Sequence, residues 1–435
     1  MQSKHIVLGA TVLLLQAAFP AAHAIGQQSI STPVVAAPQV AVSALPLTLD
    51  QAIQLALSAN PALRSATRSI GIADGAVQQA GARPNPELSF LSEGTDRNTR
   101  TETTQINQVI ELGGKRAARI AAAEQERNVA IDDVNTKRAE LRADVITAYM
   151  EALTAQERLA LAQASLDLAH KSTDVTSRRV TAGKISPVEQ TRSSVAEAAV
   201  RLELAQAEAD LTLAKRRLTA LWASPHPLDQ PLQVPDTFGR LPAWPDLAER
   251  LASSPQLRRA QSAVAGRDAQ VKLERAQRIP DVTVTVGSQR ERELGRTQGV
   301  IGLSLPLPLF NRNQGNILSA VRRADQARDD LEAEHLRLTQ VLADAYQRAE
   351  VASTQTVTLR DQVLPAAQSA YDAAVTGFAM GKFAFTDVLD AQRTLFQTKT
   401  QYLRALSDRY RSIADIERYV PVAGAGVNST ERTSK

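Results

Sequence analysis

Cysteine is absent from this 435-residue chain, and aromatic residues make up only 4% of it. Without cysteine the chain has no disulfide, no thiolate metal ligand and no N-terminal cysteine that could carry a lipid. The scarcity of aromatic residues, beside many Ala, Gln, Glu, Arg and Leu, favours long helices over a thick globular core. The net charge of +4 is small and the basic residues are scattered, so nucleic acid is not an expected partner.

Long apolar runs are also missing, except at the start of the chain. Residues 1–24 comprise a short charged start, an apolar run from Ile6 to Phe19 and the ending Ala22-His23-Ala24. This pattern is typical of a secretory signal peptide. A transmembrane helix is the alternative, but the run is shorter than the roughly 20 residues that a span needs. We therefore predict an exported protein, with a signal peptide at 1–24 and an extended linker at 25–47.

The sequence then repeats itself. Pro61, Leu63, Arg64, Ala66 and Pro86 recur as Pro255, Leu257, Arg258, Ala260 and Pro280, and Gly183-Lys184 recurs as Gly381-Lys382. Self-similarity of this kind predicts two copies of one structural unit. The predicted boundaries are a first repeat at 48–222, a Pro-rich linker at 223–245, a second repeat at 246–420 and a flexible C-terminal tail at 421–435.

Each repeat has the same predicted order of elements: a short helix, a helix of about 20 residues, two strands, a very long helix, a glycine bend and a second long helix. In the first repeat these helices are 48–59, 61–82, 115–180 and 187–222; in the second they are 246–253, 255–278, 314–377 and 385–419. Neither Pro nor Gly falls between Lys115 and Ala182. About 65 residues at 1.5 Å each give a helix roughly 100 Å long.

The predicted strands form two hairpins, 87–93 with 103–111 and 281–289 with 300–305. In the third of these strands Val282, Val284 and Val286 face one way, and polar, charged residues join the strands of each pair. Such strands suit an outer-membrane barrel, but four strands cannot close one, since the smallest have eight. Several chains must then contribute, and three chains of four strands would give twelve.

The sequence resembles a known family, the TolC-type outer-membrane efflux proteins, over residues 48–420. Three stretches carry the resemblance. QVIELGGKRAARIAAAE (108–124) is similar to the strand-to-helix turn of the cobalt–zinc–cadmium efflux branch. LPLPLFNRNQG (305–315) and FTDVLDAQRTLF (385–396) resemble stretches of the wider family. The duplicated strand and helix hairpins agree with that resemblance.

The resemblance implies a mainly α fold with a small β part. It implies a homotrimer with a 12-stranded β-barrel in outer-membrane lipid and a long α-helical barrel across the periplasm. It further implies docking to a periplasmic adaptor protein and, through it, to an inner-membrane RND-type pump. Such a channel is not an enzyme and needs no cofactor.

The resemblance to the metal branch makes divalent heavy-metal cations the expected substrate. The same kind of channel serving drug efflux or type I secretion is the nearest alternative. A periplasmic adaptor is a second alternative, but adaptors normally have one helical hairpin rather than two.

Asp387 and Asp390 are the main candidate site residues. They lie three positions apart, so both carboxylates share one face of a helix. From the pattern alone, they offset the positive dipole at a helix N-terminus. The family resemblance places them in the periplasmic entrance instead, as rings in a trimer that would favour cations. In some members of the family, polar residues near this tip hold the closed gate together by hydrogen bonds or ion pairs. Phe378 and Phe383 occupy those positions here, which predicts that apolar contact closes the gate.

The two glycine bends are the other candidate sites. Gly183, Lys184 and Ile185 form one bend, and Gly381, Lys382 and Phe385 belong to the other. A glycine at a helix end permits a left-handed turn, and the resemblance adds an adaptor-docking role. In the first repeat, Glu189 and Arg192 match the two aspartates, and we predict a salt bridge between them.

The sequence does not predict a metal site or a catalytic site. After the predicted signal peptide the only histidines are His170, His226 and His335, far apart in sequence. No nucleophile and base fall in a catalytic pattern, and the Gly-Lys bends lack the spacing of a phosphate-binding loop.

Overall fold

The structure is a computed structural model that describes residues 46–226, 228–234, 241–380, 382–383 and 385–420; of residues 378, 379, 385 and 386 only the backbone is described. The predicted signal peptide, the C-terminal tail, all but two residues of the first linker, part of the second linker and Gly381 lie outside these ranges. The predictions made for them stay predictions.

Each half of the chain contains the predicted series of elements. In the first half these are α1 (Leu49–Ala59), α2 (Pro61–Gly81), β1 (Glu87–Glu93), β2 (Thr101–Ile110), α3 (Lys115–Thr181) and α4 (Pro187–Ala220). In the second half they are α5 (Trp244–Leu251), α6 (Pro255–Gln277), β3 (Val282–Glu291), β4 (Arg296–Ser304), α7 (Gln314–Thr358), α8 (Leu364–Ala379) and α9 (Phe385–Tyr419). The strands of the second hairpin run further than predicted, so the charged residues around 290 and 296 belong to strands rather than to a loop.

Repeated helix caps explain why the two halves start alike. The side chain of Asn60 accepts a hydrogen bond from Leu63 N at 2.9 Å, and the hydroxyl of Ser254 accepts one from Leu257 N at 3.1 Å. Each cap is followed by a proline at the first helical position, where a missing N–H costs nothing. The Asn/Ser-Pro pair therefore sets the start of α2 and of α6.

A π-helical turn at Leu359–Val363 interrupts the predicted helix 314–377 and separates α7 from α8. Pro365 has no N–H to donate to the preceding turn. The N–H of Leu364 bonds to the carbonyl of Leu359, five residues back. The extra residue in this turn accommodates the proline without ending the helix.

The main core lies along the middle of α3, where that helix contacts α1, α4 and α9. Tyr149 is fully buried there, and its hydroxyl oxygen lies 2.7 Å from the carbonyl oxygens of both Leu47 and Gln233. Burial raises the pKa of Tyr149 to about 12, so the hydroxyl keeps its proton and can donate to these carbonyls. The same core contains Ile53, Val145, Met150, Leu218 and Leu232.

A short parallel bridge ties the start of the described chain to the linker between the repeats. Leu47 pairs with Leu232, and the side chain of Gln156 bonds both backbone groups of Leu232, at 2.8 and 3.1 Å. Residues on α3 therefore hold two segments that have little regular structure of their own.

The turn from β2 into α3 depends on two consecutive glycines. Gly113 has φ +68 and Gly114 has φ +72, values that residues with a side chain rarely adopt. A Cβ at Gly113 would lie 2.7 Å from the Cδ1 atom of Ile279, whereas one at Gly114 would meet nothing within 4 Å. Gly113 is thus restricted both by its backbone conformation and by close packing.

Ion pairs fasten this turn to the neighbouring elements. Lys115 Nζ lies 2.7 Å from Asp281 Oδ1, just before β3. Arg119 bonds both carboxylate oxygens of Glu111 and also donates to the carbonyls of Ala80 and Ala82 at the end of α2. The hydrogen bond to Glu111 raises the pKa of Arg119. The turn is therefore a joint between the strands and the helices, and we call residues 111–119 the strand–helix joint.

We expect Gly113→Ala to lower the free energy of unfolding by about 2–4 kcal/mol, because both the positive φ and the contact with Ile279 oppose a methyl group. Gly114→Ala is the matched control and should cost only about 1–2 kcal/mol, from the positive φ alone. Thermal unfolding of the purified protein measures both.

The added variant Ile279→Ala should recover part of the Gly113→Ala loss and none of the Gly114→Ala loss. Equal costs at the two glycines would contradict the packing argument.

Candidate functional site

The first hairpin tip is a helix end closed by a left-handed glycine. Gly183 has φ +67, and its N–H bonds to the carbonyl of Val180 at 2.9 Å. The N–H of Lys184 bonds to the carbonyl of Arg179, also at 2.9 Å. This pair of bonds is the Schellman arrangement, which satisfies carbonyls at the end of α3. α4 then starts at Pro187, with Ser186 as its cap.

The exposed apolar side chain at the first tip is not the one expected. Lys184 is exposed, but Ile185, which as an apolar docking residue was expected to be exposed, is half-buried. Val188, in the first turn of α4, is instead the more exposed aliphatic side chain. The apolar surface offered by this tip is therefore shifted by three residues.

The second hairpin tip turns on Gly377, the first of the two glycines in GFAMGKFAF. Its carbonyl accepts a hydrogen bond from Lys382 N at 2.8 Å and a longer one from Phe383 N at 3.3 Å. The ring of Phe383 lies on this glycine, so close that a Cβ at Gly377 would be 2.1 Å from Phe383 Cδ2. Phe383 and Met380 still expose half or more of their surface. Gly381 and the side chains of Phe378 and Phe385 lie outside the described residues.

The two aspartates lie on the first turns of α9, just after this tip. Asp387 and Asp390 are both exposed, and Val388 between them is buried. The helix thus turns its acidic face outward and its apolar face onto the hairpin. In the first repeat, Arg192 Nη1 lies 2.9 Å from Glu189 Oε1, which confirms the predicted salt bridge at the equivalent position.

The strands of both halves join into one antiparallel sheet in the order β1-β2-β3-β4. Its central pair, β2 with β3, connects the two repeats. Within the described ranges, β1 and β4 each have a partner on one side only. The sheet therefore has two open edges.

One face of the sheet is apolar and exposed. The register places four aliphatic side chains in one row across the strands, Leu88, Ile106, Val286 and Ile301. All four are exposed, Ile301 to 86%. An apolar surface of this kind marks an interaction site, because soluble monomers rarely leave one uncovered.

The opposite face of the sheet is polar. Thr285 Oγ1 donates to Asn107 Oδ1 at 2.7 Å, and Asn107 Nδ2 donates to Ser89 Oγ at 3.4 Å, which links three strands. Gln298 and Gln289 bond each other further along the same face. Apolar residues on one face and polar residues on the other are typical of strands that separate lipid from a water-filled lumen.

Neither metal ligands nor spanning helices stand out in the part of the chain that the structure describes. No three His, Asp or Glu side chains there are grouped so as to hold a metal ion. His170 Nδ1 lies 3.1 Å from Glu197 Oε1, an oxygen that also accepts a hydrogen bond from Arg201 at 2.8 Å.

In the part of the chain that the structure describes, no helix is both long and apolar enough to cross a bilayer.

Comparison with known proteins gives the chain a family. The family model described as "Outer membrane efflux protein" matches residues 52–224 and 247–420. The chain is 43% identical over 379 residues to the cobalt-zinc-cadmium resistance protein CzcC of Cupriavidus metallidurans, covering 86% of this chain and 90% of that protein. It is 30% identical to the nickel-cobalt-cadmium resistance protein NccC of Alcaligenes xylosoxydans, over 64% of this chain and 65% of the relative.

Solved structures agree on the fold. CusC superposes with a TM-score of 0.72 at 20% identity, covering 85% of this chain and 91% of that one. The open state of the Neisseria gonorrhoeae MtrE outer membrane channel superposes with a TM-score of 0.71 at 21% identity, covering 85% and 88%. The resemblance drawn from the sequence is confirmed, and the chain belongs to the outer membrane efflux protein family.

Proposed function

We propose that three copies of this chain form a passive channel through the outer membrane and across the periplasm. The observation that carries the proposal is the four-stranded sheet, with its two open edges and its exposed apolar face. Unpaired strand edges are not viable in lipid, because each free backbone group there costs several kcal/mol. Pairing β1 of one copy with β4 of the next removes every open edge, and three copies make a barrel of twelve strands.

The long helices would continue this barrel through the periplasm. α3 alone has 67 residues, which at 1.5 Å per residue is about 100 Å. At its far end the two hairpin tips would dock to a periplasmic adaptor, which links the channel to an inner-membrane RND-type pump. The tip residues proposed for docking are Gly183, Lys184, Ile185, Gly381, Lys382 and Phe385, together with Val188 and Met380, whose exposure the structure adds.

Asp387 and Asp390 are proposed to line the periplasmic entrance as two rings of carboxylates. Their exposure on one face of α9 supports this role, since buried or opposed carboxylates could not form rings. Phe378 and Phe383 are proposed to narrow the same entrance by apolar contact. The contact of Phe383 with Gly377 holds the Phe383 ring at the tip.

Divalent heavy-metal cations are the proposed substrate. The 43% identity to a cobalt-zinc-cadmium resistance protein supports this more strongly than any single residue. Rings of carboxylates also favour cations over anions. A conduit needs no tight metal site and performs no chemistry on what it conducts.

Drug efflux or type I secretion through the same kind of channel is the alternative. The chain is also 23% identical to the outer membrane protein TolC of Escherichia coli, over 82% of this chain. Deleting the gene and testing sensitivity to Zn²⁺, Co²⁺, Cd²⁺, Ni²⁺ and Cu²⁺ beside common drugs separates the two. We expect metal sensitivity that a plasmid copy reverses; sensitivity to drugs alone would reject the metal assignment.

We expect the double variant Asp387→Asn and Asp390→Asn to reduce cation selectivity in planar bilayers, about threefold or more in the permeability ratio, because the carboxylate rings are lost. Asparagine keeps the size and helix position of each side chain. Glu189→Gln, at the equivalent position of the first hairpin, is the matched control and should leave selectivity unchanged. Unaltered selectivity in the double variant would remove both aspartates from the entrance.

We expect Gly377→Ala to raise the conductance of the closed channel, because the added methyl displaces the Phe383 ring from the tip. Phe383→Ala should raise it as well, and the two changes together should do no more than Phe383→Ala alone. Val188→Ala at the first tip serves as the control. Conductance that stays at the wild-type level in Phe383→Ala would show that this ring does not narrow the entrance.

A further inference from the structure

The apolar band on the exposed face of the sheet is short. Along β3 it runs from Val282 to Val286, and the next row holds Ser288, Thr104 and Gly299 with one large apolar side chain, the exposed Phe90. The row after that is polar or charged in every strand, and it consists of Ser92, Glu102, Arg290 and Thr297. Even when the row of Ser288 is included, the six residue steps from Val282, tilted by about 40°, span roughly 16 Å along a barrel axis, whereas the apolar band of outer-membrane barrels is about 25 Å tall.

Residues that could extend the apolar band toward its usual height follow the end of β4. Aliphatic residues at every second position begin within β4, as Ile301 and Leu303, and continue past it as Leu305, Leu307 and Leu309, and Phe310 follows. All six side chains are exposed, Phe310 to 90%. Pro306 and Pro308 lie between the leucines and favour extended conformations for the residues before them, and the chain turns at Pro308, where Leu309 N donates to the carbonyl of Leu307 at 2.9 Å. The apolar face of β4 therefore extends, in sequence, beyond the hydrogen-bonded sheet.

Two arginines lie beside this segment. Arg278 and Arg312 line one surface concavity with Leu307, Leu309 and Phe310, and an adjoining one with Ile317 and Leu318. Both arginines are exposed, and across the described residues no carboxylate oxygen lies within 4.0 Å of either guanidinium. Neither charge is therefore neutralised by an ion pair of the kind that Arg119 and Arg328 form elsewhere in the described chain.

We propose that residues 305–310, together with Arg278 and Arg312, form a phospholipid-binding surface at the periplasmic rim of the sheet. Acyl chains would cover Leu307, Leu309 and Phe310, and the phosphate of an anionic glycerophospholipid would bind the two guanidiniums. Continuity with the apolar face and the two unpaired positive charges favour lipid over a protein partner. This inference rests on the proposed function, because it requires the sheet to lie in a membrane.

Tryptophan fluorescence with brominated phospholipids tests the apolar part in the full-length protein reconstituted in vesicles. Trp222 and Trp244 are replaced by Phe, and one tryptophan is introduced as Phe310→Trp. Ile301→Trp on the strand face is the control for membrane insertion, and Leu202→Trp on exposed α4 is the control for the periplasmic region. We expect bromolipid to quench positions 310 and 301 to a similar extent and to leave position 202 unquenched.

The outcomes separate this inference from the proposed function. Quenching at 301 but not at 310 would overturn the lipid surface and leave the channel proposal intact, with a neighbouring copy or an adaptor covering Phe310. Absence of quenching at both positions would contradict the membrane position of the sheet and, with it, this inference.

Native mass spectrometry of the protein with both tryptophans retained tests the headgroup part, using phosphatidylglycerol and phosphatidylcholine as probes. We expect a preference for phosphatidylglycerol that falls about fivefold for each of Arg278→Gln and Arg312→Gln. Arg323→Gln, an exposed arginine further along α7, should leave the preference unchanged. Equal binding of the two lipids by the wild-type protein, or equal effects of all three variants, would overturn the assignment of the two arginines.

Discussion

The outer edges of β1 and β4 carry backbone N–H and C=O groups with no strand partner in the described part of the chain. In lipid each such group costs several kcal/mol, and the apolar face that includes Leu88 and Ile301 cannot remain in water either. Closure edge to edge between copies, with the apolar faces outward, meets both demands at once. The proposed rings of Asp387 and Asp390 and the proposed entrance would exist only if that closure occurs, so they would belong to the assembly rather than to one chain.

The strand–helix joint gives the sheet a fixed relation to the helices. Gly113 and Gly114 allow the chain to turn, and Lys115 and Arg119 fasten the turn to Asp281 and to the end of α2. The motif in this joint is what resembles the metal-efflux branch, yet its residues form structural contacts and are not arranged as metal ligands. The metal assignment therefore depends on similarity across the whole chain and not on this motif.

Most of the fold could be predicted from the sequence, because its signals are local. Alternation located the strands, the Asn60-Pro61 and Ser254-Pro255 pairs located helix starts, and Gly183 located a helix end. The pairing of β2 with β3 could not be predicted, since alternation gives the face of a residue such as Ile106 but not its partner, Val286.

The features that the sequence did not reveal depend on contacts between residues of the folded chain. The π-helical turn before Pro365 depends on how the backbone hydrogen bonds of the helix rearrange where proline lacks an N–H. The contact between Gly377 and the ring of Phe383 depends on the folded turn, which places the two residues together. The half-burial of Ile185 depends on packing at its tip. The proposed rings of aspartates were expected from the family resemblance alone, because they would require other copies of the chain.

Cysteine cross-linking between copies tests closure most directly, because the chain has no cysteine of its own. Ser89→Cys on β1 is combined in turn with Gln298→Cys, Val300→Cys, Gly302→Cys or Ser304→Cys, which share its face of the sheet on β4. Mild oxidation in outer membranes should produce covalent species of two and three chains for one or two of these pairs, and none larger. Cross-linking in none of the pairs, or a ladder that continues beyond three chains, would contradict the closed trimer.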